Sequence, residues 1–402
     1  MNQTANSWVI KLTLLLTSTL TIMAGATIAP SLPAMQTYFA DVENAQFWVR
    51  LLLTVPALFI AIGAPIAGQL VDTLGRKSLL LVSALLYGAA GSSGFILNSL
   101  FSMLVGRAFL GLAVAGIMVS STTLIADYYQ GEKRSSFMGL QAAFMSLGGV
   151  VFLSLGGAIA ELNWRSPFLI YLFAWLLLPI MLVALYEPSH TTVIPTDHVQ
   201  LPQVDQMPIK LLGLICGSAL LLQIVFYMIP VQLPFYLAQL SGAGAAQSGL
   251  AIALATLFGA IASINYSRIK QRLSYFSILG LGFLLLGMGY CGIGLVGNYL
   301  MLLVALVPVG FGLGLLTPNL NLWTTSNVPA VFRGRALGWL TTCLFLGQFL
   351  SPIITQFFSQ TLELKAIYGL TGVAIVTLSI LLKNFQLPIC RAINSHPAPA
   401  NR

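Results

Sequence analysis

The sequence predicts an all-α integral membrane protein, with twelve transmembrane helices arranged as two pseudo-symmetric six-helix bundles. Three observations carry that prediction. Of 402 residues, 57% are hydrophobic and only 7% charged, whereas soluble domains run at about 25% charged. The apolar residues come in runs long enough to cross a hydrocarbon core, and the second set of runs echoes the first.

Composition excludes several classes. A water-soluble fold needs charge on its exterior, so the bilayer is the solvent that suits this chain. Cys216, Cys291, Cys343 and Cys390 are scattered, without CxxC or His/Cys spacing, and read as small apolar fillers. His190, His198 and His396 fall in polar stretches, so neither a metal site nor a cofactor is expected. The net charge of +8 is split among short loops between apolar runs, the pattern of topology signals rather than of a nucleic-acid partner. There is no HExxH, GxSxG or Walker loop, so an enzyme and an ATP-driven pump are both disfavoured. The partner that composition implies is the lipid bilayer, with the chain expected to work as a monomer.

A core of about 30 Å needs roughly 20 apolar residues in helical form. Such runs fall at 8–33, 46–70, 78–97, 100–126, 136–160 and 166–186, and again at 209–239, 244–266, 274–296, 298–325, 335–360 and 364–384. The first run is too long and too well continued for a cleaved signal peptide. The stretch 187–208 is the longest polar interruption, and its prolines mark a linker. The chain therefore divides into an N-terminal half (1–186), a linker (187–208), a C-terminal half (209–390) and a tail (391–402).

Orientation follows from Lys and Arg placement. With both termini cytoplasmic in a bacterial inner membrane, the inner side holds Lys11, Arg76, Lys77, Lys133, Arg134, Lys210, Arg268, Lys270, Arg272, Arg333, Arg335, Lys383, Arg391 and Arg402. The outer side holds Arg50, Arg165 and Lys365, and Arg107 is left within the membrane. An offset of 199 residues aligns Gly111 with Gly310, Arg134 with Arg333, Gly139 with Gly338 and Gly148 with Gly347. Such a duplication implies a pseudo-two-fold axis along the membrane normal and a substrate site between the halves.

The sharpest local pattern runs from Gly68 to Lys77, between the second and third spans: Gly68, Asp72, Gly75, Arg76 and Lys77 at GxxxDxxGRK spacing. Gly68 suits close helix approach, Gly75 a turn, and Asp72 the positive end of a neighbouring helix; Arg76 is placed to pair with Asp127. This run resembles the signature loop of the major facilitator superfamily, and the resemblance extends over essentially the whole chain. Pro30-Ser31-Leu32-Pro33 resembles the PxxP of the twelve-helix drug:proton antiporter branch. Arg107-Ala108-Phe109-Leu110-Gly111 resembles its RxxQG, with Leu110 in place of Gln. Gly139, Gly148, Gly156 and Gly157 match the glycine spacing of its antiporter motif, whose central Gly-Pro is replaced here by Phe152-Leu153. Pro352 keeps a proline at the repeat-equivalent place in the eleventh span. These glycines read equally well as plain helix packing.

The resemblance implies alternating access by a proton-coupled exporter of drugs or metabolites, with the loop as a conformational switch. An uptake carrier or uniporter for a small, possibly anionic, nutrient is the other reading. Arg107 stands about 10 Å into the fourth span, a costly depth unless it faces a wet cavity or a partner. It is a candidate for substrate binding or coupling, or an arginine satisfied by neighbouring carbonyls. Gly111, Met118 and Thr122 share its face at helical spacing. The resemblance also implies that the first, fourth, seventh and tenth helices line the cavity, which nominates Thr27, Ser120, Ser121, Thr122, Gln223, Tyr227, Gln232, Tyr236, Asn319 and Asn321. For each of these an ordinary interhelical hydrogen bond is the alternative. Every Asp and Glu falls in a loop or at a helix end, so no mid-membrane carboxylate is available for coupling. A buried Arg without such an acid favours a polar or anionic substrate.

Overall fold

The computed structural model describes residues 7–188, 207–329 and 332–394. Among them the chain is helical, without strands, and twelve segments are long and apolar enough to cross a membrane. The first span is α1 (Trp8–Ala26), a 3-10 turn (Ala29–Ser31) and α2 (Leu32–Tyr38), the break falling at Pro30. Then follow α3 (Ala45–Leu74), α4 (Arg76–Ser92), α5 (Leu100–Tyr128) and α6 (Gly131–Ala160). The sixth span joins a 3-10 helix (Ser166–Leu172) to α7 (Phe173–Ala184). The remaining spans are α8 (Ile209–Ser241), α9 (Ala245–Lys270), α10 (Tyr275–Leu295), α11 (Tyr299–Asn327), α12 (Arg333–Ser359) and α13 (Leu364–Asn394). Most of the predicted linker, with Asp197 and Asp205, and the end of the tail lie outside the described residues.

Helices are the only open choice for such runs, because lipid offers no partner for an unpaired backbone amide. Several hydroxyls in the spans are satisfied within their own helix: Thr13, Thr17, Ser18 and Thr27 each donate to the carbonyl four residues back. The chain packs as two compact units, Met1–Ala253 with Thr324–Gln356, and Leu254–Trp323 with Phe357–Arg402. In the first, Tyr87 donates to the Leu20 carbonyl at 2.7 Å and Trp175 to that of Leu85 at 3.0 Å, tying α4 to α1 and α7. In the second, α10 and α13 approach closely enough that a Cβ on Gly294 would stand 2.7 Å from the Gly369 Cα. Small residues at crossings replace the hydrophobic drive that lipid removes.

The internal repeat is visible atom by atom. A Cβ on Gly111 would collide with the Pro56 carbonyl oxygen and come within 2.8 Å of the Phe59 Cβ. A Cβ on Gly310 would collide with the Ala255 carbonyl oxygen and come within 2.9 Å of the Phe258 Cβ. Both pairs of contacts keep the 199-residue offset found in the sequence. Gly111→Ala and Gly310→Ala are therefore expected to destabilise by about 1–3 kcal/mol each, the usual cost of forcing apart a packed contact.

Several expectations are corrected here. Among the described residues nothing lies within 4 Å of a Cβ built on Gly68 or Gly139, so neither marks a close helix approach there. Gly68→Ala and Gly139→Ala should leave the thermal unfolding midpoint in detergent unchanged, the internal control for the Gly111 and Gly310 variants. Gly111 faces α3 across a packed crossing rather than an open cavity, and Thr122 is exposed. Arg50, counted with the outer-side charges near the start of the 46–70 run, is not exposed at the membrane surface: it lies inside α3, which begins at Ala45, and is 1% exposed.

Candidate functional site

Arg107 is carried by α5, and the 3-10 geometry of the sixth span prepares its seat. In a 3-10 helix residues three apart eclipse, so Phe168 and Tyr171 present both rings to one side. The Arg107 guanidinium carbon lies 4.7 Å from the Phe168 ring centroid and 4.9 Å from that of Tyr171. Its Nη1 donates to the Tyr171 hydroxyl at 3.0 Å, and that hydroxyl donates onward to the Ala24 carbonyl at 3.1 Å. Arg107 is 2% exposed and Tyr171 fully buried, while Nη2 of Arg107 has no hydrogen-bond partner among the described residues.

The same stretch of α1 collects two more phenols. Tyr87 reaches the Leu20 carbonyl, with its ring 5.7 Å from that of Tyr171. Tyr227 of α8 places its hydroxyl 2.9 Å from where a Cβ on Gly25 would stand; only a glycine admits it so close. The result is a positive charge held by two π faces and the Tyr171 hydroxyl. Desolvated cation–π contacts each contribute about 2 kcal/mol, against a burial cost of several kcal/mol for the ion. The charge stays uncompensated by any carboxylate, since the one ion pair among the described residues lies elsewhere. Such a group can hold an anionic or polar ligand.

The other nominated residues divide. Gln232 is fully buried and donates to Thr355 at 2.8 Å, and Gln223 accepts from Gln348 at 3.5 Å, both joining α8 to α12. Asn319 accepts from Tyr266 at 3.0 Å and donates to the Tyr275 carbonyl at 2.9 Å, a three-helix structural bond. Asn321 is exposed and donates to its own helix at Thr317, and Ser121 bonds back to Ile117. Thr27 bonds back to Met23, Tyr236 is buried, and Ser120 is buried with its hydroxyl oxygen unpartnered. Gly148 packs on Thr19 and Gly156 on the Thr27 carbonyl, and a Cβ on Gly157 would stand 3.1 Å from the Gly249 Cα in α9; Pro352 is buried in α12. Among the described residues none of these is shown in contact with Arg107, whereas Tyr227 reaches α1 at Gly25 beside the carbonyls that Tyr87 and Tyr171 bond.

The 68–77 loop forms a second cluster. Gly75 has φ +87°, a conformation open to glycine, and turns α3 into α4. Arg76 Nε pairs with Asp127 Oδ2 at 3.1 Å. Lys77 Nζ donates to the Leu182 carbonyl at 2.8 Å. The anion at the helix N-terminus is Glu187, which accepts from the backbone amides of Arg76 at 2.6 Å and Lys77 at 2.8 Å. Asp72 is exposed and makes no such contact within the described residues. Glu187→Ala leaves those two amides to water and should cost about 1 kcal/mol, the usual worth of a helix cap. Glu187→Gln should recover part of that, which chemical or thermal unfolding in detergent would read.

Sequence reasoning missed three residues. Glu187 was assigned to a linker, and nothing in its surroundings signals a cap for α4. Tyr171 needed the 3-10 geometry to be seen. Arg50 lay inside the 46–70 run, which was signal enough. It donates from Nη1 to Gln356 Oε1 at 2.7 Å and sits 4.9 Å from the Phe235 ring centroid. With the Gln46 amide turned, that residue's oxygen accepts from both Arg50 nitrogens at 3.0 and 2.8 Å. Arg50 thus joins α3, α8 and α12.

Comparison with known proteins agrees with this architecture. The Major Facilitator Superfamily model matches residues 14–352 and, in a second match, 215–388. Quinolone resistance protein NorA of Staphylococcus aureus (strain MSSA476) is 23% identical over 359 residues, covering 87% of this chain and 91% of that protein. Multidrug resistance protein 1 of Bacillus subtilis (strain 168) is 28% identical over 181 residues, 45% of this chain and 46% of that protein. Among solved structures, a bacterial homologue of the human lysosomal transporter Spinster superposes with a TM-score of 0.74 at 17% identity, covering 97% of this chain and 98% of that one. The xylose transporter XylE of E. coli gives 0.74 at 15% identity, covering 94% and 95%. With twelve membrane-crossing helices and this family match, the chain belongs to the major facilitator superfamily and is a multi-pass secondary transporter of small molecules, not an enzyme.

Proposed function

We propose that the chain exports small organic molecules at the expense of the proton gradient, by alternating access of its two six-helix halves, joined at 187–208, with both termini cytoplasmic. The observation that carries this reading is the buried, acid-free Arg107 on its aromatic seat, together with a quinolone resistance protein as a relative over 87% of the chain. The steep Lys and Arg bias supports the orientation. The guanidinium's unpartnered Nη2 favours substrates bearing a carboxylate or other polar acceptor over lipophilic cations.

Coupling would use groups at the helix ends, since the described acids all lie there. The Asp127–Arg76–Glu187 cluster is one candidate, Asp72 beside it another, and a proton carried by the substrate a third. The test is proteoliposomes loaded with a pH-sensitive dye and challenged with organic anions, cations and neutral sugars. Substrate-dependent alkalinisation or acidification would support coupled export. Substrate flux without any pH change would replace this reading with the uniporter one.

A further inference from the structure

The cysteines read as scattered fillers in the sequence, and packing brings two of them together. Helices α8 and α12 run parallel with one register along their shared length. Near their first turns, Leu212 and Ala336 share a buried cluster with Val328, and Cys216 packs against it. Further along, a Cβ on Gly347 would stand 2.5 Å from the Leu220 carbonyl oxygen, so the helices nearly touch there. Beyond that, Gln223 meets Gln348 at 3.5 Å and Gln232 meets Thr355 at 2.8 Å. Cys216 lies one helical turn before Leu220, and Cys343 one turn before Gly347. Residues four apart share a face, so this register sets the two side chains opposite each other beside the closest approach. The two thiols lie near enough to interact, and both cysteines are free and only half-buried. Cys291, by contrast, packs its sulfur on Gly372 in the other unit.

We infer that Cys216 and Cys343 form an oxidisable dithiol, a modification site at which a peroxide joins α8 covalently to α12. A disulfide requires Cα atoms about 4.4–6.8 Å apart, which the near-contact at Gly347 brings within reach one turn away. One thiolate sulfur attacks a peroxide oxygen and the O–O bond breaks, giving a sulfenic acid; the departing hydroxide takes up the thiol proton as water. The second sulfur then attacks the sulfenic sulfur, the S–S bond forms, the S–OH bond breaks, and its oxygen leaves as a second water. Two thiols lose two electrons and one hydrogen peroxide becomes two waters. The bond closes a loop holding α9, α10 and α11, and it fixes α12 on α8. Resting on the transport reading above, the cross-link slows any cycle in which those two helices shift.

The test treats the purified full-length chain with hydrogen peroxide, then maps cysteines by differential alkylation and peptide mass spectrometry. The expected result is a Cys216–Cys343 peptide within the monomer, a rise of several degrees in the unfolding midpoint, and reversal of both by dithiothreitol. Cys216→Ser and Cys343→Ala should show neither. In proteoliposomes the same treatment should slow flux of a fluorescent quinolone carboxylate at least fivefold in the wild type and leave Cys343→Ala unchanged. Absence of the cross-linked peptide, or a cross-link that changes neither midpoint nor flux, overturns the inference. A chain that moves no probe before oxidation refutes the transport reading alone, and the peptide map and midpoint then decide this one.

Discussion

Arg107→Met is expected to reduce transport more than tenfold while the protein inserts, folds and unfolds at close to the wild-type midpoint. The two halves of that expectation come from one geometry. The guanidinium is 2% exposed, lies 4.7 and 4.9 Å from the Phe168 and Tyr171 ring centroids, and donates to one neutral hydroxyl. Replacing a buried ion by an apolar side chain of similar length removes its desolvation cost along with its contacts, and such exchanges come out neutral or stabilising. Tyr171 keeps its bond to the Ala24 carbonyl, so no polar atom is stranded. Arg107→Ala would lose the volume as well and should cost about 2 kcal/mol more in stability. Arg107→Lys keeps the charge but not the planar fork or the stacking, so it should rescue transport poorly. Flux in proteoliposomes, set beside unfolding midpoints for the three variants, reads both quantities. Wild-type kinetics in Arg107→Met would reduce Arg107 to a packing element and withdraw the carboxylate-binding proposal with it.

What could be read from the sequence follows the range of the forces involved. The spans were legible because lipid demands about twenty apolar residues in a row, a local rule. Crossing helices were partly legible: Gly111 and Gly310 announced themselves by recurring at one offset, and the structure gives each the same contact with the helix two before its own. Gly68 and Gly139 sat in equally suggestive patterns and touch nothing, because a glycine's partner lies on another helix and leaves no local trace. Charge was harder still. Asp72 carried the motif, yet Glu187, over a hundred residues away, caps α4. The two cysteines at the α8–α12 crossing were unreadable for the same reason, since their register depends on a glycine one turn away in α12. Arg50 was legible in principle, being inside a predicted span. Arginine near the end of a run is ordinarily a snorkelling residue, and the sequence holds no sign that Gln356 and Phe235 wait for it.

That second guanidinium yields the other large expected effect, and it is an asymmetry. Gln356→Leu should destabilise the protein by about 2–4 kcal/mol, whereas Arg50→Met should cost about 1 kcal/mol or less. The two substitutions break the same 2.7 Å bond, so a tally of contacts would score them alike. The difference is what each leaves behind. Without the Gln356 oxygen, a guanidinium that is 1% exposed must stay charged in a largely apolar seat beside Phe235, with the Gln46 side remaining. Without the guanidinium, a neutral amide loses one charged donor, a smaller debt by a factor of two or more. The double variant Arg50→Met with Gln356→Leu should therefore recover most of the stability lost in Gln356→Leu alone, a non-additivity expected only for residues in direct contact. Equilibrium unfolding of all four proteins in one detergent gives the cycle. Equal costs for the two single variants, summing in the double, would mean that Arg50 is paired chiefly through α3 and that its reach to α12 contributes little. The predicted asymmetry would instead identify Arg50 as the charge that holds α3 to α8 and α12, and hence as the residue whose release any rearrangement of those helices must include.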